Sequence, residues 1–313
     1  MKPGWTAGVT RARLLLSRAV GATHASEVAA SRSLGDGLAV LAGSAYGERV
    51  QAGQGLAAAQ RGVAETLLWH LRILAGWLPA AGASLVRAVA GWFELMNIDA
   101  RLAALASDGR EPRPFVLGTL ATAWNEAEGA HTAEEVARAV AASAWGGPRT
   151  SSPPELALGL RAAWARRVQE SAPEAADWVA GAGALLVARE LLVARSGRHE
   201  AQLLLFPGIE QRVLAASTLP ELRGALNPAA RWALANITEP AELWRAELGW
   251  WDRVEDDARA LLRRIDDEAV VLAAVALLAV DAQRIARALE SAARGATRQS
   301  SRGGPQERFG ETG

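Results

Sequence analysis

QGLAAAQRGVAETLLWHLRILAGWL, residues 54–78, places Leu56, Ala59, Val63, Leu67, Leu71 and Leu74 at spacings of three and four. That period gives a helix one continuous apolar stripe, and 25 residues at ~1.5 Å each make it roughly 38 Å long. Pro79 and Gly82 read as breakers, and a second long helix is predicted from Ser84 to Ala106, folded back on the first as an antiparallel hairpin. Elsewhere Ala, Leu and Arg, all strong helix formers, dilute the β-branched residues, and no stretch sustains period-2 alternation. The predicted fold class is all-α.

The breakers recur in order. Ser44-Ala45-Tyr46-Gly47 returns as Ser143-Ala144-Trp145-Gly146, and the N-caps Ser33 and Thr132 that open the preceding short helices share the same offset of 99 (33 to 132, 46 to 145). A polar Gly/Pro loop follows each, Glu48 to Gly55 and Gly147 to Pro154, and then long helices. A looser third copy runs through short segments at Pro207 to Ala216 and Thr218 to Leu226, a breaker at Asn227-Pro228, and Trp232 in place of the aromatic. Its long helices are predicted at about Ala241 to Arg264 and Glu268 to Ala293. The predicted organisation is three pseudo-symmetric helical repeats, 1–107, 108–197 and 198–294, with a Gly/Ser/Arg/Gln-rich disordered tail over 295–313.

Composition narrows the functions open to these repeats. Zero cysteines among 313 residues exclude a disulfide scaffold, thiolate metal sites and a cysteine nucleophile. The balance of 34 Lys+Arg against 34 Asp+Glu leaves no net field to draw in nucleic acid. Met1 to Ser26 carries Lys2, Arg11, Arg13 and Arg18 without an acid, but Leu14-Leu15-Leu16 is too short for a secretory core. The longest apolar run, Ala269 to Val280, falls short of the roughly 20 residues of a bilayer span and reads as a buried helix. Lys2 is the only lysine, so no Gly-x-x-x-x-Gly-Lys-Ser/Thr phosphate loop exists, and no Gly-x-Ser-x-Gly elbow is present.

An acidic-x-x-polar-apolar step lies late in the hairpins: Glu94-Leu95-Met96-Asn97-Ile98 in the first unit and Asp281-Ala282-Gln283-Arg284-Ile285 in the third. The second unit has Glu190-Leu191-Leu192-Val193-Ala194, keeping the acid and losing the Asn. With an Arg-rich first helix, a Ser-Leu-opened short helix and a small-residue/aromatic/Gly stop, the order of features resembles the C subunit of bacterial and archaeal rotary V/A-type ATPases, equivalent to subunit d of the eukaryotic vacuolar ATPase. In that family the step is usually Asp-x-x-Asn-Leu, so the middle unit departs from the pattern. The resemblance implies a non-catalytic, three-fold pseudosymmetric funnel without cofactor or metal. Its partners would be the central-stalk subunits and the membrane proteolipid ring, at the cytoplasmic face of the membrane, peripheral and without a span of its own.

Read as chemistry, Glu94 and Asn97 share one helical face at i,i+3 and serve either as a polar lock to a neighbour or stalk, or as an internal hydrogen-bonded pair across a buried seam. Asp281 and Arg284 carry the same alternatives, with an i,i+3 ion pair added. Arg72, Arg101, Arg161, Arg253 and Glu255 are the polar groups expected on the inner wall of a funnel, since a large apolar pit would aggregate. Trp69, Trp77, Trp92, Trp164 and Trp178 fall within long-helix patterns and are expected in packing, while one of Trp250 and Trp251 is a candidate interface anchor. His24, His70, His131 and His199 show no i,i+4 zinc spacing. Glu255-Asp256-Asp257 and Asp266-Asp267-Glu268 resemble the clusters that hold magnesium-diphosphate in all-α isoprenoid synthases, but Ala260 breaks the Asp-Asp-x-x-Asp pattern. An all-α enzyme with a carboxylate-lined cavity, or an unrelated helical scaffold, is the alternative.

Overall fold

The structure is a computed structural model that describes residues 4–107, 112–146, 150, 152–194 and 199–302, with side chains described to 295. Among the described residues every regular element is helical. In chain order they are α1 (Thr6–Leu16), α2 (Gly21–Ala29), α3 (Leu34–Leu41), α4 (Leu56–Gly76), α5 (Ala80–Ala106), α6 (Trp124–Ala127), α7 (Ala133–Ala142) and α8 (Pro153–Ser171). There follow α9 (Ala176–Ala188), α10 (Glu200–Leu203), α11 (Gln211–Leu214), α12 (Leu219–Ala225), α13 (Pro228–Arg231), α14 (Leu243–Leu262) and α15 (Asp267–Arg302).

The short helices are opened as their sequence dictates. The side chains of Ser33, Thr132 and Thr218 accept the backbone N–H of Asp36, Glu135 and Glu221, three residues on in each case. The N–H groups of His131 and Ser217 donate to the Glu135 and Glu221 carboxylates at 2.7 and 2.9 Å, which holds both below the ordinary carboxylate range. Pro79 is the N-cap of α5 and not a spacer before it, so the helix starts at Ala80, four residues before the predicted Ser84, and Gly82 lies inside it. The reason is packing: a β-carbon at Gly82 would stand 2.9 Å from the Trp5 ring, so glycine serves close approach here and not a break.

Contacts group the chain into two compact units, Met1–Arg13 with His70–Leu277 and Leu14–Trp69 with Leu278–Gly313. In the first, α5 lies along α8, α8 along α9 and α9 along α14. The side-chain contacts run antiparallel between α5 and α8 and between α9 and α14. Trp164 Nε1 donates to the Ala88 carbonyl at 2.9 Å, while Arg161 meets Asp99 at 2.5 Å. Along the α9–α14 seam, Glu174 meets Arg264, Trp178 meets Asp257, and Arg189 meets Glu247. The first part of α15, Ala269 to Val275, is buried on all sides. Residues 267–295 are long and apolar enough to cross a membrane by length and composition; the most apolar 18-residue window has mean hydropathy 1.9, and 72% of it is buried in the protein.

In the second unit α2 and α3 pack on each other, and Val28, Leu38, Leu41, Tyr46 and Val50 form one core with Val63 of α4 and Ile285 and Leu289 of α15. Burial of each large aliphatic contributes about 1.5–3 kcal/mol. α15 continues through Gly295 to Arg302, so the predicted tail begins in helix, as its Ala, Arg and Gln allow; 303–313 lie outside the described residues. The predicted repeat boundaries at 107/108 and 197/198 also fall at or within stretches outside them.

Gly62 tests how tightly α4 is held in this unit. In an open helix Gly→Ala gains about 1 kcal/mol, but a β-carbon at Gly62 would lie 2.5 Å from the Arg49 carbonyl oxygen. Gly62→Ala is expected to lose about 1–3 kcal/mol in chemical denaturation; a gain would place the Arg49 loop elsewhere.

Candidate functional site

Two buried carboxylates, one in each unit, do the same work. Glu94 is 1% exposed on α5. It accepts the backbone N–H groups of Thr122, Ala123 and Trp124 at 2.9, 2.5 and 2.7 Å, and Trp145 Nε1 donates to its second oxygen at 3.1 Å. The three amides open α6, where N–H groups have no helical acceptor and the helix end favours a negative charge. One turn along α5, buried Asn97 donates its amide to the Phe115 carbonyl at 2.9 Å and accepts the Phe115 N–H at 2.7 Å, completing both backbone groups of that residue. Arg167 stacks on the Trp145 ring at 4.7 Å. Burial pulls its guanidinium below the ordinary arginine value, and the charge of Glu94 offsets part of that.

Asp281, 3% exposed on α15, repeats the arrangement. It accepts the N–H groups of Val20 and Gly21 at 3.1 and 2.7 Å at the start of α2, and the Tyr46 hydroxyl donates to it at 2.9 Å. Gly21 has a φ of +79°, a left-handed conformation glycine adopts without strain. Tyr46 and Trp145 are held alike from behind as well: their N–H groups donate to Ser44 and Ser143 Oγ at 3.2 and 3.1 Å, and each serine hydroxyl donates to a carbonyl three residues earlier.

The third copy is different. Trp232 has its indole N–H buried without a hydrogen-bond partner, and Arg253 lies over its ring at 5.3 Å. The acid of the second repeat, Glu190, is half-buried in a π-helical turn, Arg189–Ala194, at the end of α9.

The other candidates scatter. Glu94, Asn97 and Asp281 are buried and hydrogen-bonded within the chain, Glu94 to the start of α6 and Trp145, Asn97 to Phe115, and Asp281 to α2 and Tyr46. Arg101 donates to the Ala130 carbonyl, Arg161 pairs with Asp99, Arg253 with Asp257 and Arg259 with Glu255. Arg72 is exposed on α4, and Arg284 is half-buried. Trp178 is buried, Trp69 and Trp164 are half-buried, but Trp77 and Trp92 are exposed: Trp77 sits in the turn after α4, and Trp92 on the outward side of α5. Trp250 donates to the Trp178 carbonyl at 2.8 Å and meets Trp251 edge-on, which ties it inside. Asp257 accepts Trp178 Nε1 and Arg253, and among the described residues no cluster of three His, Asp or Glu side chains is placed to hold a metal ion.

Because the chain has one tyrosine, the second joint has its own reporter. Burial first, then the charge and hydrogen bond of Asp281, raise the Tyr46 pKa well above the ordinary 10.0. A phenol raised on folding keeps its stabilisation below the unfolded value and loses it as pH climbs from there toward the folded value. Stability is expected to fall above pH 10, with phenolate absorbance appearing only as the protein unfolds, and Tyr46→Phe is expected to flatten that fall. Reversible phenolate formation in folded protein would show the hydroxyl to be open to solvent.

Fold and site define an all-helical protein whose most elaborate feature is a pair of buried carboxylate joints between long and short helices. The chain matches no protein-family model, and no curated protein is similar to it.

Proposed function

We propose that this chain is a three-repeat helical funnel and the non-catalytic central-rotor connector of a V/A-type ATPase, joining the central stalk to the membrane proteolipid ring at the cytoplasmic face. The observation that carries the reading is the twice-built joint. In sequence-repeat order the acid of the first repeat grips the short helices of the second, and the acid of the third repeat grips those of the first. A chain whose last repeat engages its first suits a closed ring of repeats, and the order of features along the sequence resembles the C-subunit family.

The chemistry of the joints suits a torque-bearing part. A carboxylate buried among backbone N–H groups resists shear, because sliding would leave charge and donors unpaired out of water at about 1–3 kcal/mol per group. Nothing in such a joint turns over a substrate. Immobilised central-stalk subunits and, separately, detergent-solubilised proteolipid ring from the same genome are expected to retain the purified chain, which alone hydrolyses no ATP. Retention on neither, or intrinsic ATP turnover, would overturn the reading.

A further inference from the structure

Three hairpin turns of the first unit gather at one end. The Ala88–Trp164 and Asp99–Arg161 contacts make α5 and α8 antiparallel, so the turn before α5 (77–79) and the turn after α8 (171–175) extend the same way. Glu174, in the second of these turns, meets Arg264 of the α14–α15 turn at 3.7 Å. From this end Trp77 stands 54% exposed and Ile265 93% exposed. Arg11 lies over the Trp77 ring at 5.9 Å, and Arg263 and Arg264 immediately precede Ile265.

We propose that this end seats on a phospholipid bilayer: Trp77 and Ile265 enter the headgroup layer, and Arg11, Arg263 and Arg264 pair with lipid phosphates. A protein partner needs a contiguous surface of roughly 800 Å², whereas single apolar side chains on separate turns need only a deformable one. Tryptophan is favoured at headgroup depth, and arginine stems lie along apolar matter with the charge outside. Glu170, Glu174 and Asp266 share this end and offset much of its positive charge. The apolar side chains therefore carry most of the binding, the arginines add a preference for anionic lipid, and the contact is weak and reversible, as for a single shallow anchor.

Protein-free vesicles separate this inference from the rotor reading, which is tested on stalk and ring in detergent. The full chain is expected to float with vesicles of equal parts phosphatidylglycerol and phosphatidylcholine, and less with phosphatidylcholine alone. Trp77→Ala with Ile265→Ser should weaken flotation at least about tenfold, Ile265→Ser alone should weaken it measurably, and Arg263→Gln with Arg264→Gln should erase the anionic preference. Trp92→Ala with Met96→Ala, on the outward side of α5, should change nothing. Ile265 is so exposed that its substitution cannot unfold the protein. No flotation, flotation indifferent to Ile265→Ser, or equal loss in the Trp92/Met96 variant would overturn the proposal.

Discussion

Glu94→Ala is expected to cost about 3–5 kcal/mol, the loss typical of removing one side of a buried charged network. The variant would strand the N–H groups of Thr122, Ala123 and Trp124 and the Trp145 indole without their carboxylate acceptor. In a unit of this size the loss corresponds to a fall in melting temperature of about 10 °C, measurable by circular dichroism. Glu94→Gln keeps the shape but turns one acceptor into a donor facing donors, and should lose about half as much. A loss below about 1 kcal/mol in Glu94→Ala would mean that solvent reaches the joint and that it does not hold the short helices.

Asp281→Ala strikes the second joint, leaving the Val20 and Gly21 N–H groups and the Tyr46 hydroxyl without an acceptor. About 3 kcal/mol is expected, because charge-assisted bonds carry about 1.5–3 kcal/mol each and the Gly21 bond is short. Asp281 and Tyr46 are in direct contact, so Asp281→Ala and Tyr46→Phe should not add; a double-mutant cycle should return a coupling of about 1–2 kcal/mol. Denaturant melts of the four proteins measure it. Additivity within error would mean that the hydroxyl and carboxylate act separately. Glu94→Ala and Asp281→Ala, in different units with no shared partner, should add.

Much of this was readable in order along the chain. The 3.6-residue period of 54–78 predicts α4 to within two residues at each end, and Ser33 and Thr132 cap the helices they precede. These features act within a few residues, so local composition determines them. The acid-x-x-polar step was also visible, as two residues on one face of a helix, and so was the weakening of the pattern at Glu190.

What the acids bind was not visible. The donors to Glu94 are backbone amides 28 to 30 residues away and an indole 51 residues away, and those to Asp281 lie 235 to 261 residues away. Every residue except proline offers an N–H, so the partner of a buried carboxylate leaves no mark in composition. Only the packing of α5 and α15 against particular helix starts selects which amides arrive. The same holds for the tryptophans. Trp77 and Trp178 both fall in helix-like patterns, yet one projects from a turn and the other lies 6% exposed under α14, because burial depends on which helix crosses above a residue and not on the residue's own period. Sequence periodicity determined that this protein is helical and where its long helices run; tertiary packing alone decided that Glu94 and Asp281 face inward as joints, since the groups that compensate their buried charge come from distant backbone.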